Sequence, residues 1–257
     1  MPPSLRKPPR RPIRRVPPEG PVEPSTPLEI PAPPPTPEKG SAYRIWTTDL
    51  GLFADRQPVV VGIDQSLERF GLAAYAPKTG TAFLWLCHPG DIGARRLLNV
   101  QFFVKSCIQQ LQLRGCAIEH ICMEGYSFGS QMAREKMGEC GGAVKTTLIT
   151  CLGIANQVAY PTIPTPQQLK KFCLGPKQKN VPQSKALMLK GVLKKWGVDL
   201  SDDNLADAYT LAHMAGRVAT GEKGLAYEDE VIGKLRRHTE WEIESKPQRR
   251  PRSSGPT

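Results

Sequence analysis

Val59-Val60-Val61-Gly62-Ile63-Asp64-Gln65-Ser66 is an apolar, largely β-branched run that stops abruptly on a carboxylate. A run of this kind needs burial on both faces, so it predicts a central strand. Asp64 then stands at the carboxyl edge of a sheet, where open α/β folds present ligand-binding groups. Just downstream, Phe70-Gly71-Leu72-Ala73-Ala74-Tyr75 and Thr81-Ala82-Phe83-Leu84-Trp85-Leu86 flank Pro77-Lys78-Thr79-Gly80, a hairpin turn by composition. Three antiparallel strands are expected.

From Ile92 to Leu113 the residues Leu97, Leu98, Phe102, Val104, Ile108 and Leu111 recur at helical spacing, and Gly115 ends the pattern. Ile118 to Met123 is a short apolar strand that also ends on a carboxylate, Glu124. A long helical pattern follows from about Ser130 to Gln157, and Gly138, Gly141, Gly142 and Ala143 give it a side open to close packing. Ala159 to Pro164 is the next strand candidate. Thr165-Pro166-Gln167-Gln168 has the form of a helix start with a capping box, leading to a short helix through Phe172. A basic, turn-rich loop runs from Gly175 to Gln183, and a helix from Ser184 ends at Trp196-Gly197. Ser201-Asp202-Asp203-Asn204 caps an Ala- and Leu-rich helix through Val218, with Asp207 one turn in.

The ends of the chain differ in composition from this periodic region. Of 26 prolines, 15 precede residue 40, and Arg10-Arg11 and Arg14-Arg15 are basic pairs. Such a segment buries too little apolar surface to offset its ordering entropy, so residues 1–56 are expected to be a disordered, basic arm. Residues 222–257 are polar and end in further basic residues, as expected of a second flexible appendage. The domain is placed at 57–221. A net charge of +11 favours a polyanionic partner. The seven cysteines form no CxxC pair and fit reduced thiols packed in a cytoplasmic protein. With no apolar run long enough for a membrane span, a soluble, unsecreted chain is expected.

Carboxylates thus recur at element ends: Asp64, Glu124, and the group Asp202, Asp203 and Asp207. Residues 203 and 207 are four apart, so a helix puts both on one face. Clustered carboxylates raise one another's pKa values unless a cation neutralises them, and an all-oxygen set suits hard Mg²⁺ or Mn²⁺. Two such ions about 4 Å apart support phosphodiester hydrolysis. Each acid also has an ordinary reading: Asp202 and Asp203 suit any helix N-terminus, and Glu124 suits any strand end. His88, His120 and His213 stand apart. His213 shares the last helix with Asp207 but lies on a different face, which fits surface or core and not a general base.

The order of the pieces resembles the RNase H-like superfamily, in particular the RuvC family of Holliday junction resolvases, over residues 58 to 219. Gly62-Ile63-Asp64-Gln65-Ser66-Leu67 with Gly71 resembles the first motif of that family, and Met123-Glu124-Gly125-Tyr126 its second. Gly138-Glu139-Cys140-Gly141-Gly142 resembles its small-residue stretch. Lys170-Lys171, with Lys185 beyond, resembles its phosphate-binding region, and Asp203-Asn204-Leu205-Ala206-Asp207-Ala208 its terminal acidic motif. The resemblance implies an α/β, RNase H-like fold with a mixed five-stranded sheet flanked by helices. It also implies Asp64, Glu124 and Asp207 as catalytic ligands of two Mg²⁺ or Mn²⁺ ions. The family carries its fourth ligand at the position of Asn204. Asp203, one residue earlier, is chemically the better ligand and is the one chosen. Lys170, Lys171 and Lys185 are expected to contact DNA. Tyr126 and Phe128 flank Ser127, which stands where the family carries an aromatic residue that engages unpaired bases.

The resemblance therefore implies a homodimeric endonuclease that nicks four-way junctions or other branched DNA in recombination or repair. The long Pro-rich arm points to a phage or mobile-element member working in the cytoplasm of a bacterium or infected host. Two competitors are an RNase H-fold module that binds branched DNA without cutting it, and an actin-like or sugar-kinase ATPase. The ATPase lacks a second glycine-rich phosphate hairpin and a second domain.

Overall fold

The computed structural model describes residues 44–51, 53–125, 131–176 and 185–236. Its centre is a five-stranded mixed sheet of β1 (Arg44–Leu50), β2 (Pro58–Asp64), β3 (Phe70–Ala76), β4 (Thr81–His88) and β5 (Ala117–Met123). The spatial order is β1-β4-β3-β2-β5, antiparallel throughout except for the parallel pair β2 and β5. Between β4 and β5 the chain forms α1 (Gly93–Leu113). Then come α2 (Gln131–Leu152), a 3-10 turn (Gln157–Ala159), α3 (Pro166–Leu174), α4 (Lys185–Trp196), α5 (Asp203–Thr220) and α6 (Ala226–Arg236). This is the helix-flanked mixed sheet expected from the sequence.

Strand alternation divides the core in two. Val59, Val61 and Ile63 of β2 pack with Phe70, Trp85, Phe103 and Ile108 on the side of α1 and α2. Val60 joins Ala73, Leu84 and Leu86 on the side of α5, where Ala208, Leu211, Ala212 and Ala215 face the sheet. Because both faces of β2 are covered, its middle residues Val59 to Ile63 are buried, which is what the β-branched run predicts. The approach of α5 is close. A Cβ at Gly62 would lie 2.1 Å from the carbonyl oxygen of Ala208 and 2.2 Å from the nitrogen of Ala212, and one at Gly71 would lie 2.5 Å from the carbonyl oxygen of Asn204. The glycines of the first motif thus let the last helix lie directly on the strand that ends at Asp64.

Three expectations need correction. The fifth strand is β1, within the segment read as a disordered arm, and not residues 159–164. That later segment begins with the 3-10 turn and carries Pro161 and Pro164, which have no N–H for a ladder. Only Thr162 keeps a bridge to Cys122. Second, Gly138 and Gly142 of α2 meet nothing within 4 Å, whereas Cys140, Val144 and Leu148 form the packed side. The helix also ends at Leu152, with Gly153 at φ +91, five residues before the expected limit at Gln157. Third, the folded unit continues past residue 221 through α6, which buries Val231, Ile232 and Leu235.

The last of these has an energetic consequence. Glu228 of α6, 6% exposed, pairs with Lys195 at 2.7 Å and Arg217 at 2.9 Å, and Asp229 pairs with Arg217 at 2.6 Å. Burial alone pushes the Glu228 carboxyl up, but Lys195 and Arg217 outweigh it and hold the group below the usual carboxylate range. Ending the chain at residue 221 is expected to cost about 5 kcal/mol, from three lost apolar anchors and three cations, Lys171, Lys195 and Arg217, left without their carboxylates. A urea titration checks this: a midpoint unchanged from the full chain would contradict the place of α6 in the fold.

All seven cysteines are free thiols, and six of them are buried. Among the described residues, no helix is long and apolar enough to cross a membrane.

Candidate active site

The parallel pairing of β2 and β5 sets the first two acids side by side. Ile63 lies opposite Met123, and the Glu124 N–H donates to the Ile63 carbonyl at 2.9 Å. Asp64 and Glu124 therefore leave adjacent strands at the same edge. Beyond β5, the Gly125 N–H donates to the Pro164 carbonyl at 2.8 Å, and a Cβ at Gly125 would stand 3.1 Å from that oxygen. The small residue after Glu124 thus admits the segment leading to α3.

The helix α5 brings the remaining acids. Asp202 is its N-cap, accepting from the N–H groups of Asn204 and Leu205 and from Asn204 Nδ2. Its other oxygen meets Arg69 of the β2–β3 connection at 2.7 Å, and the residue is 3% exposed. The cap and the ion pair occupy both oxygens of Asp202, and Asn204 is drawn into the same cap. Asp203 and Asp207 are left on one face of the first turns, four residues apart. Of the residues considered for the fourth position, Asp203 is the one whose charge acts on both Asp64 and Asp207.

The electrostatics join the acids into one cluster. Burial raises the Asp64 pKa well above its ordinary value, helped by the charges of Glu124 and Asp207, by a hydrogen bond with Glu124, and by the charge of Asp203. Burial also raises Glu124, opposed by its hydrogen bond from Asp64 and by the charge of Lys170. Burial and the neighbouring negative charges thus favour the neutral form of Asp64, which is hydrogen-bonded with Glu124. Asp207 is pushed up to about 8 by burial and by Glu124 and Asp203, against the pull of Lys170. Asp207 Oδ1 is buried with no hydrogen-bond partner.

Whether these residues suit a divalent cation is decided by their chemistry and by that orphaned oxygen. As the side chains stand, no three His, Cys, Asp or Glu among the described residues converge closely enough to hold a metal ion. The acids nonetheless lie close enough for the charges of Glu124, Asp203 and Asp207 to act on Asp64. An all-oxygen donor set that carries excess buried carboxylate and an unsatisfied Oδ1 fits Mg²⁺ or Mn²⁺.

The other expected residues are placed as follows. Lys170 on α3 acts electrostatically on Glu124 and Asp207, so it faces the cluster. Lys171 pairs with Glu230 of α6 at 2.5 Å, which commits that cation to holding the helix. Tyr126, Phe128 and the side chain of Lys185 lie outside the described residues. His213 stacks on Trp196 with ring centroids 4.2 Å apart, Tyr75 lies tilted against it at 4.1 Å, and burial lowers its pKa to about 3. It is a neutral core histidine. His120 bonds Thr162 at 2.8 Å and His88 bonds the Glu68 carbonyl at 2.6 Å, so each ring has a partner other than the acids. The sequence reading missed Arg69 and Gln65, whose partners at Asp202 and Glu124 are distant along the chain.

No family model matches the chain, and no curated protein matches it. Nine chains among solved structures do. One is T. thermophilus RuvC in complex with Holliday junction substrate, at 18% identity and a TM-score of 0.43, covering 61% of this chain and 90% of that chain. At that distance the likeness adds nothing to the account of the site.

Proposed function

We propose that the protein is a divalent-metal-dependent endonuclease acting on branched DNA, four-way junctions foremost. The observation that carries this reading is the electrostatic union of Asp64, Glu124, Asp203 and Asp207, delivered by β2, β5 and α5 to one sheet edge. These four acids would hold the cations, two Mg²⁺ or Mn²⁺ ions on the resemblance to junction resolvases. Bound there, the metal supplies Lewis-acid stabilisation and activation of water for phosphodiester hydrolysis. The chain's own residues do the rest. Arg69 keeps Asp202 out of the donor set, and Lys170 offers a cation beside the acids for the phosphate. Lys171 and Lys185, with Tyr126 and Phe128, remain proposed DNA contacts, Lys171 only where DNA displaces Glu230.

A net charge of +11 supports a polyanionic substrate despite the acidic centre. Paired nicks on opposite strands require two sites, so we propose a two-fold homodimer. Asn204, standing where the resembled family carries its fourth ligand, favours one competing reading, a module that binds branched DNA without cutting it. Mobile four-way junction, flap, linear duplex and RNA–DNA hybrid, each incubated with the full chain and Mg²⁺, separate the two. Nicking of the junction at least about 10-fold faster than of the duplex is expected, given the differential binding that selectivity needs. Junction binding without cleavage in either Mg²⁺ or Mn²⁺ would establish the competitor.

A further inference from the structure

Asp64 has neighbours on both sides that grip Glu124. The carbonyl of Ile63 accepts from the Glu124 N–H at 2.9 Å, and Gln65 Nε2 donates to the Glu124 carbonyl at 2.6 Å. Both peptide groups of Glu124 are therefore tied to the two residues flanking Asp64, and the acids are set by one short bracket. Only an N–H can face a carbonyl oxygen at that distance, so the contact also fixes which end of the Gln65 amide is which. The amide oxygen lies about 2.3 Å from Nε2 by covalent geometry, hence within roughly 5 Å of the Glu124 carbonyl. That Oε1 is buried with no hydrogen-bond partner from the chain, and Gln65 as a whole is 4% exposed.

A buried acceptor without a donor is costly, and a glutamine whose only need was to bridge two strands leaves no reason for its oxygen to be held in place. Asp207, whose pKa the charge of Glu124 raises, carries a second buried acceptor without a partner, Oδ1. We propose that Gln65 is a positioning residue of the acid site. Its amide nitrogen orients Glu124 against Asp64, and its amide oxygen is reserved for a donor from the hydration shell of a divalent cation. The inference rests on the cation-site reading above. Residues that orient metal ligands in this way typically contribute 10- to 100-fold to affinity.

The test is a calorimetric titration of Mn²⁺ into the full chain without DNA, for wild type, Gln65→Met and Asp64→Asn, with thermal melting in EDTA beside it. Gln65→Met keeps the length of the side chain and removes both polar atoms. We expect its Mn²⁺ Kd to rise about 10- to 100-fold while its melting temperature stays within roughly 3 °C of wild type. If it does not fold, Gln65→Asn is read in the same titration, since its shortened amide cannot reach the Glu124 carbonyl. Unchanged Mn²⁺ affinity, with or without a lower melting temperature, overturns the role of Gln65 and leaves the cation site standing, provided Asp64→Asn has lost binding. Wild-type affinity in Asp64→Asn as well overturns the site itself.

Discussion

Asp207→Asn is expected to melt well above the wild-type chain at pH 8.5 in EDTA while losing junction cleavage in Mg²⁺. The folded state holds the Asp207 proton up to about pH 8, whereas an unfolded aspartate releases it near its ordinary value of 3.8. Between those limits the folded chain binds more protons than the unfolded one, so stability falls as pH rises through the window. Below both values the carboxyl is neutral in both states, and this cost is absent. The nominal cost of a shift of that size, discounted for relaxation and for coupling to Asp64 and Glu124, is on the order of 2–4 kcal/mol at pH 8.5. This corresponds to roughly 5–10 °C in melting temperature. The gap between variant and wild type should close toward pH 4 and narrow at pH 8.5 when Mg²⁺ neutralises the wild-type acids. Cleavage should fall by about 10³-fold. A variant that melts below wild type at pH 8.5 would show that Asp207 serves the fold and not a charged site.

Gly62→Ala is expected to be the most damaging single methyl addition to the sheet, and Gly138→Ala a mild improvement. At Gly62 the new Cβ meets backbone atoms of Ala208 and Ala212 at 2.1 and 2.2 Å, and backbone cannot rotate aside as a side chain can. The helix α5 must retreat, at a cost of about 3 kcal/mol or more. Asp207 adjoins Ala208 and Asp64 is two residues from Gly62, so the retreat also separates the acids, and cleavage should be lost beyond what reduced stability explains. At Gly138 nothing lies within 4 Å, and alanine in the interior of α2 should gain about 0.5–1 kcal/mol from backbone entropy and helix propensity. Chemical denaturation of the two variants checks both signs at once. Equal stability of the pair would contradict the placement of α5 on β2.

The parts of the fold legible in the sequence are those whose signal is local. The run from Val59 to Asp64 shows that its strand is covered on both faces, and the Thr165 capping box starts α3 where its residues indicate. The strand β1 escaped notice because Ile45, Trp46, Thr47 and Thr48, good strand formers, adjoin a proline-rich segment whose composition outweighed them. In α6 the apolar positions Tyr227, Val231 and Leu235 recur every four residues, but the charged sequence around them hid the pattern. Its ion pairs to Lys195 and Arg217 through Glu228, which add to its buried apolar side, exist only in the folded chain.

The acid site divides along the same line. Asp64 and Glu124 announce themselves by ending apolar runs, and Asp207 by its place one turn into a capped helix. The choice among Asp202, Asp203 and Asn204 needed tertiary information. Arg69 engages Asp202 from a connection more than a hundred residues earlier in the chain, and only that pairing shows that Asp202 is taken up by the fold. Gln65 gives no sequence signal either, since its partner is a backbone carbonyl.

The central claim is that these four acids make a cation-dependent nuclease. Cleavage of a mobile four-way junction by the full chain in Mg²⁺, measured beside Asp64→Asn under single-turnover conditions, tests it most directly. Wild type should nick the junction, while the variant should bind it with similar affinity and cut at a rate lower by about 10³-fold. Equal cutting by the two proteins would contradict the account.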